Sequence, residues 1–497
     1  MEASMLHKRR TNFHRCVSHF TAIICAGMLF LNSCLTALAD NDAEILLETN
    51  RAMPIQSNQV ANWPTGPVVG AEAAILMEME TGAILYEKNI HMREYPASTT
   101  KLLTTLIVTE QCSMDEIVTF SHDAVFGTPR DSSHIAMDVG QELTMEQCLN
   151  AILIRSANEV SFAVAEHITG TTDWSVFAEM MNEKAAELGC INSHFVNPNG
   201  LPDDDHYTTA YDLAMIGRAF FSNEMLCKIT LTRRMEFPAT DKLPKGKLEV
   251  NQMQIIPGGQ YEYEYLVGCK TGYTNDARSC LVSCAEKDGM KLVCVVMKDE
   301  APYQYEDTIA LFTYGFSNFE KVNVAQTETK YNIDNTGLFY SGNDIFGSSQ
   351  SILSLNKNDY VILPKTASFQ DLDSTISYET ENENQAAVIT YTYHDVYIGS
   401  VSLNFADNQE TSANLFNTSE DEPDVAESTD TSFIFINIIK ILGVLAAAAI
   451  IGFLVLLIKL FLKNFEFGGR GQKNWKKESR PRRKNKRGSG EFKDFDF

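Results

Sequence analysis

Ser98 and Lys101 stand three residues apart at the head of an apolar run, Leu102, Leu103, Leu106 and Ile107, whose spacing predicts a buried helix entered at Pro96. Residues three apart share a helix face, so the hydroxyl and the amine point into one space. A serine hydroxyl is a weak nucleophile until a base takes its proton, and a lysine serves as that base only when neutral. Burial, the positive end of the helix or a second cation would each push Lys101 toward the free amine. The pair permits a self-contained nucleophile and base. Alone it says little: roughly two such spacings are expected by chance in a chain of this length, and Ser354-Leu355-Asn356-Lys357 is another.

Two further groups add chemistry. Ser156 and Asn158 occupy alternate positions on a turn, where a hydroxyl can relay a proton and an amide can hold a lysine and a substrate carbonyl. The same tripeptide recurs at Ser412-Ala413-Asn414 in an acidic stretch, so it too needs context. Lys270-Thr271-Gly272, followed by Tyr273, occurs once. A glycine on a strand lets a substrate backbone approach closely, and a cation beside a hydroxyl anchors a carboxylate.

The surrounding pattern supplies elements to position these groups. Ala73 to Met79 and Ala83 to Tyr86 flank a Thr81-Gly82 turn and predict a hairpin. Thr144 with Gln147 makes a capping box for a helix over Met145 to Ile154, which delivers Ser156 and Asn158. Lys270 lies on the first of three antiparallel strands, the others beginning near Ser279 and Lys291. A helix follows from Gln304 to Phe319, and short β-branched runs then extend to Asp407.

Taken in order, Ser98-x-x-Lys101, Ser156-x-Asn158 and Lys270-Thr271-Gly272 resemble the signature of penicillin-binding proteins and serine β-lactamases. The flanking Pro96-Ala97, Glu159, Asn197-Pro198-Asn199-Gly200-Leu201-Pro202, Thr208 to Ala214 and Tyr273-Thr274 narrow the resemblance to D-alanyl-D-alanine carboxypeptidases over residues 66 to 320. It implies an α/β (α+β) transpeptidase fold, an antiparallel sheet flanked by helices, followed by a small β-rich domain; the apolar run beyond it separately predicts one C-terminal transmembrane helix. The resemblance also implies a catalytic set of Ser98 as nucleophile, Lys101 as base, Ser156 as proton shuttle and Asn158 as positioner. Lys270, Thr271, Gly272 and Tyr273 would bind substrate, with the N–H groups of Ser98 and Tyr273 as oxyanion hole. The substrate would be a peptidoglycan stem peptide ending in D-Ala-D-Ala, with β-lactams as inhibitors. No cofactor and no metal enter this chemistry. Two departures stand out: the family usually has Asp at Glu159 and Gly at Arg278.

A class A β-lactamase would need a deacylating glutamate in an ExxLN-like loop between the second and third motifs, and none is present. A catalytically silent stem-peptide-binding module is the other alternative. Intact motifs favour an enzyme.

The ends address the protein to a membrane. Residues 1–39 carry Lys8, Arg9, Arg10 and Arg15 before an apolar run ending in Ala37-Leu38-Ala39, a signal-peptide pattern. Residues 40–65 read as a polar, irregular spacer, 66–320 as the catalytic domain and 321–407 as a β-rich stalk or docking domain. Residues 408–432 form an acidic linker, 433–462 an apolar span and 463–497 a basic tail, placing the catalytic domain outside and the tail in the cytoplasm. With 41 Lys+Arg against 65 Asp+Glu and both ends basic, the exported part is strongly acidic, which excludes nucleic acid as a partner. Three of the 11 cysteines fall in the signal segment; the rest are too sparse for a disulfide scaffold and lack zinc-finger spacing.

Overall fold

In a computed structural model of the chain, residues 43–331 and 353–405 are described, apart from positions 238, 240, 242, 381 and 383. The signal segment, the acidic linker, the apolar span 433–462 and the basic tail lie outside these residues. Among the described residues, no helix is long and apolar enough to cross a membrane.

The centre is a five-stranded antiparallel sheet. Its strands in chain order are β1 (Ala73–Glu78), β2 (Ile84–Lys88), β3 (Leu266–Thr274), β4 (Arg278–Lys287) and β5 (Met290–Asp299), in spatial order β2-β1-β5-β4-β3. The hairpin expected over Thr81-Gly82 and the three-strand series after Lys270 are therefore edge to edge in one sheet. Central strands read as nearly continuous apolar runs because both faces are covered. Ala73, Ile75 and Met77 of β1, with Val293, Val295 and Met297 of β5, enter one core; Ala74 and Leu76, with Leu292, Cys294 and Val296, enter the other. Successive strand side chains alternate faces, which divides each run between two cores.

The first core is roofed by α2 (Lys101–Gln111), α3 (Met145–Arg155), α4 (Asn158–Thr169) and α5 (Ala210–Phe221). The capping box at Thr144 and Gln147 is present at the start of α3, and Gly170 ends α4 in the left-handed conformation. The second core is closed by α6 (Tyr303–Asn318) and by strands of the β-rich region.

Two expectations change. Residues 43–51 form a helix, α1, rather than irregular spacer. It docks through buried Leu47 and through Asn50, whose Nδ2 donates to the Gly70 and Lys298 carbonyls at 2.9 and 3.1 Å. One buried apolar side chain suffices here because side-chain hydrogen bonds complete the contact. The expected boundary between residues 320 and 321 falls inside a strand, β6 (Phe319–Asn323), which pairs with β7 (Tyr360–Pro364). The chain passes from α6 into the β-rich region with no linker. Tyr360 Oη lies 2.9 Å from a Glu78 carboxylate oxygen and 2.5 Å from one of Glu80, its one hydrogen shared between them, fastening that region to the β1–β2 hairpin.

Candidate active site

Pro96 and a 3₁₀ turn, Ala97–Thr100, lead into α2 and place Ser98 one turn before the buried Lys101. Lys101 Nζ lies 2.9 Å from Ser98 Oγ, 2.7 Å from Asn158 Oδ1 and 2.6 Å from the Asn199 carbonyl. Two of these partners are carbonyl oxygens and can only accept. A neutral amine gives them its two hydrogens and turns its lone pair to the Ser98 hydroxyl, which donates to it. Burial holds the Lys101 pKa well below the usual lysine range, and the Lys270 cation adds to this against an opposing pull from Glu159. Desolvation and the Lys270 cation thus favour the neutral amine, which these three contacts can satisfy.

Ser156 caps α3 in the left-handed conformation at φ 58°, which turns the chain so that Asn158 starts α4. A serine in that region is strained by about 1 kcal/mol, a cost that functional turns tolerate. Lys270 Nζ donates to Ser156 Oγ at 3.2 Å and to the Thr271 carbonyl at 2.7 Å. The Ser156 oxygen accepts there, which leaves its own hydrogen free for another partner. Lys270 is buried, and desolvation lowers its pKa to about 8.

Gly272 answers a steric demand. A Cβ there would stand 2.9 Å from the Pro96 carbonyl and 3.0 Å from the Ser98 nitrogen, so the sheet edge presses directly onto the nucleophile turn. Tyr273 is exposed beside it. Ser98, Ser156, Asn158, Lys270, Thr271, Gly272 and Tyr273 all line one cleft, with Lys101 beneath its floor.

One participant escaped the sequence reading. The Asn197-Pro198-Asn199-Gly200 segment stood out only as a flanking motif of the resemblance, and the Asn199 carbonyl was not marked as a partner of Lys101. Gly200, at φ 79°, lies where a Cβ would collide with the Ala97 carbonyl. His206 braces the same turn. Its Nδ1 accepts from the Val196 N–H at 3.1 Å, so its Nε2–H donates to Thr100 Oγ1 at 2.9 Å. Burial lowers its pKa to about 4 and keeps this neutral tautomer.

Both departures from the family pattern are accommodated. Glu159 is buried, and its Oε1 accepts the Ile135 N–H at 2.8 Å, while the Asn158 N–H donates to the Ser133 carbonyl at 2.9 Å. The start of α4 thus holds the loop above the cleft. Arg278 adopts φ 50°, a conformation that glycine reaches without strain, and Glu300 holds its guanidinium at 2.5 to 2.6 Å. Arg278 does not line the cleft. The second Ser-x-x-Lys, at Ser354 and Lys357, begins on a strand, Leu353–Leu355, not a helix.

The sequence profile of the D-alanyl-D-alanine carboxypeptidases matches residues 60–301. The carboxypeptidase DacF of Bacillus subtilis is 34% identical over 257 residues, covering 50% of this chain and 63% of that protein. DacB2 of Mycobacterium tuberculosis is 30% identical over 260 residues, covering 51% of this chain and 84% of that protein. The crystal structure of penicillin-binding protein 5 from Haemophilus influenzae shares the fold, with a TM-score of 0.54 and 23% identity over 69% of this chain and 98% of that one.

Proposed function

The chain belongs to the D-alanyl-D-alanine carboxypeptidase family, and from that membership and the geometry of the cleft we propose that it removes the terminal D-alanine from peptidoglycan stem peptides. The observation that carries this reading is the buried Lys101 Nζ, held 2.9 Å from Ser98 Oγ by two carbonyl acceptors, with burial and the Lys270 cation favouring its neutral form.

Ser98 Oγ attacks the carbonyl carbon of the penultimate D-alanine as its proton passes to Lys101. The oxyanion is met by the backbone N–H groups of Ser98 and Tyr273, each such donor being worth about 3 kcal/mol. The C–N bond then breaks, and the leaving amine takes the free Ser156 hydrogen. Lys101 replaces that proton, restoring its neutral form. Thr271 and the charged Lys270 hold the terminal carboxylate. Water then attacks the acyl-enzyme and gives a proton to Lys101, which passes it to Ser98 Oγ as the ester C–O bond breaks, restoring the free serine and the neutral amine. A β-lactam presents a similar amide and carboxylate, so it acylates Ser98.

In this reading, residues 1–39 export the protein and 433–462 anchor it, with the catalytic domain outside the membrane. The motivation is the apolar span followed by a basic tail. Fractionation of cells should recover the full-length chain with membranes, and recovery as a soluble protein would refute the anchor.

The test of the chemistry uses the full-length chain. Intact mass after a β-lactam should rise by one acyl group, and a D-Ala-D-Ala peptide should release D-alanine. Both should vanish in Ser98→Ala. Neither adduct nor product from folded wild-type protein would overturn the proposal, and rapid antibiotic turnover without D-alanine release would make it a β-lactamase.

A further inference from the structure

Cys112, Glu116 and His167 lie outside the cleft, and no step of the proposed reaction uses them. One ligating atom from each, a sulfur, a carboxylate oxygen and an imidazole nitrogen, falls within 4.8 Å of the other two. His167 Nε2 is 2.9 Å from Glu116 Oε2, while the other carboxylate oxygen is fixed by the Ser113 N–H at 2.6 Å. Cys112 forms no disulfide, and all three residues are half-buried. A histidine–carboxylate pair alone would account for two of these groups, but not for the thiol brought against them.

Their place in the fold gives the cluster a further meaning. Cys112 caps the C-terminus of α2, the helix that starts at Lys101, and His167 is in the last turn of α4, which starts at Asn158. The three residues join the far ends of the two helices whose near ends carry the base and its positioner. Helices of 11 and 12 residues put about 17 Å between the two ends. Both helix C-termini present carbonyl dipoles that favour a cation.

We propose that Cys112, Glu116 and His167 bind one divalent transition-metal ion of the Zn²⁺ class, clamping α2 to α4 behind the active site. A thiolate, an imidazole and a carboxylate form a borderline-soft set that suits Zn²⁺, whereas Mg²⁺ and Ca²⁺ require oxygen ligands. The fourth position is open to water. On binding, the Cys112 thiol releases its proton to solvent as the sulfur–metal bond forms, and the metal takes the place of the His167–Glu116 hydrogen bond. No oxidation state changes. Sequence spacing gave no hint, because His167 is 51 residues from Glu116.

The test is titration of the full-length chain with Zn²⁺ by calorimetry and with Co²⁺ by absorption spectroscopy. The expected result is one equivalent bound, a thiolate-to-cobalt charge-transfer band, proton release and a higher melting temperature. Cys112→Ser should abolish the band, and His167→Gln should weaken binding by at least about tenfold, with circular dichroism verifying that both remain folded. Absence of a thiolate band from folded wild-type protein would overturn the proposal, as would equal Zn²⁺ binding by both variants. The wild-type Co²⁺ spectrum decides the matter alone if a variant does not fold.

Discussion

Lys88, at the end of β2, and Lys101, at the start of α2, are equally buried and do different work. Lys88 Nζ donates to three backbone carbonyls, those of Asn50, Val69 and Ala71, at 2.9, 2.9 and 2.7 Å. Lys101 has two carbonyl acceptors and a hydroxyl. Desolvation lowers both pKa values. Around Lys88, the carboxyls of Asp307, Asp299 and Glu72 oppose that fall, and its pKa settles at about 8. Around Lys101, the chief charged neighbour is Lys270, which drives the pKa further down. Burial makes a lysine titratable near neutrality; its neighbours decide whether it becomes a strut or a base.

The carboxyls near Lys88 extend the contrast. Asp299 is pushed up to about 9 by burial and then by the Asp307 carboxylate. Asp307 Oδ2 accepts the N–H groups of Gly70 and Ala71 at 2.5 and 3.3 Å. Burial raises both carboxyls, and Lys88 pulls Asp299 back down. Around Lys101, Glu159 alone among the described residues pulls the pKa upward, and burial and Lys270 outweigh it.

Replacing each lysine by methionine separates the two roles. Lys101→Met should reduce acylation by a β-lactam about 10³-fold, the scale of a lost general base, and cost less stability than Lys88→Met, since two buried carbonyl acceptors lose a donor rather than three. Stopped-flow acylation rates check this, and a loss below tenfold would break the contrast. Lys88→Met should do the reverse. Three buried carbonyls lose their donor and the carboxyl pair loses its cation, so stability should fall by about 3 kcal/mol. The acylation rate per folded molecule should stay within about twofold, since Lys88 makes no contact in the cleft. Denaturant unfolding with active-site titration reads both quantities.

The smallest effect concerns pH. Acylation needs neutral Lys101, so it is lost as pH falls through the Lys101 pKa. It also needs charged Lys270, so it declines as pH rises through about 8, where Lys270 loses its proton. Lys270→Arg should remove the alkaline limb, because guanidinium stays charged, and lower the peak rate by about tenfold through poorer geometry at Ser156. An alkaline limb that stays near 8 in this variant would assign it to another group.

Much of this arrangement was legible in the residues. Ser98 and Lys101 could be paired because a three-residue spacing on a helix fixes two side chains on one face. The α3 capping box, the β1–β2 turn and the strand carrying Lys270 follow from local backbone and side-chain chemistry. Order and flanking residues then resolved three individually weak motifs into one family. Other features had no local mark. The Asn199 carbonyl that completes the Lys101 site is a backbone group that every residue possesses, so only the path of the loop selects it. Lys88 reads as an ordinary strand lysine until α1 and the Gly70 region close over it. The α1 segment holds Ala43, Ile45, Leu46 and Leu47, but of these only Leu47 is buried, and the Asn50 hydrogen bonds that dock it have no local mark.

Arg278 shows the same limit from the other side: its type departs from the family, yet Glu300, reached only through β4 and β5, occupies its charge. Sequence determined which chemical groups the chain possesses and which neighbours three or four residues away they meet. Tertiary structure decided their protonation states, because desolvation and charge act through space, between residues as distant in the chain as Lys101 and Lys270.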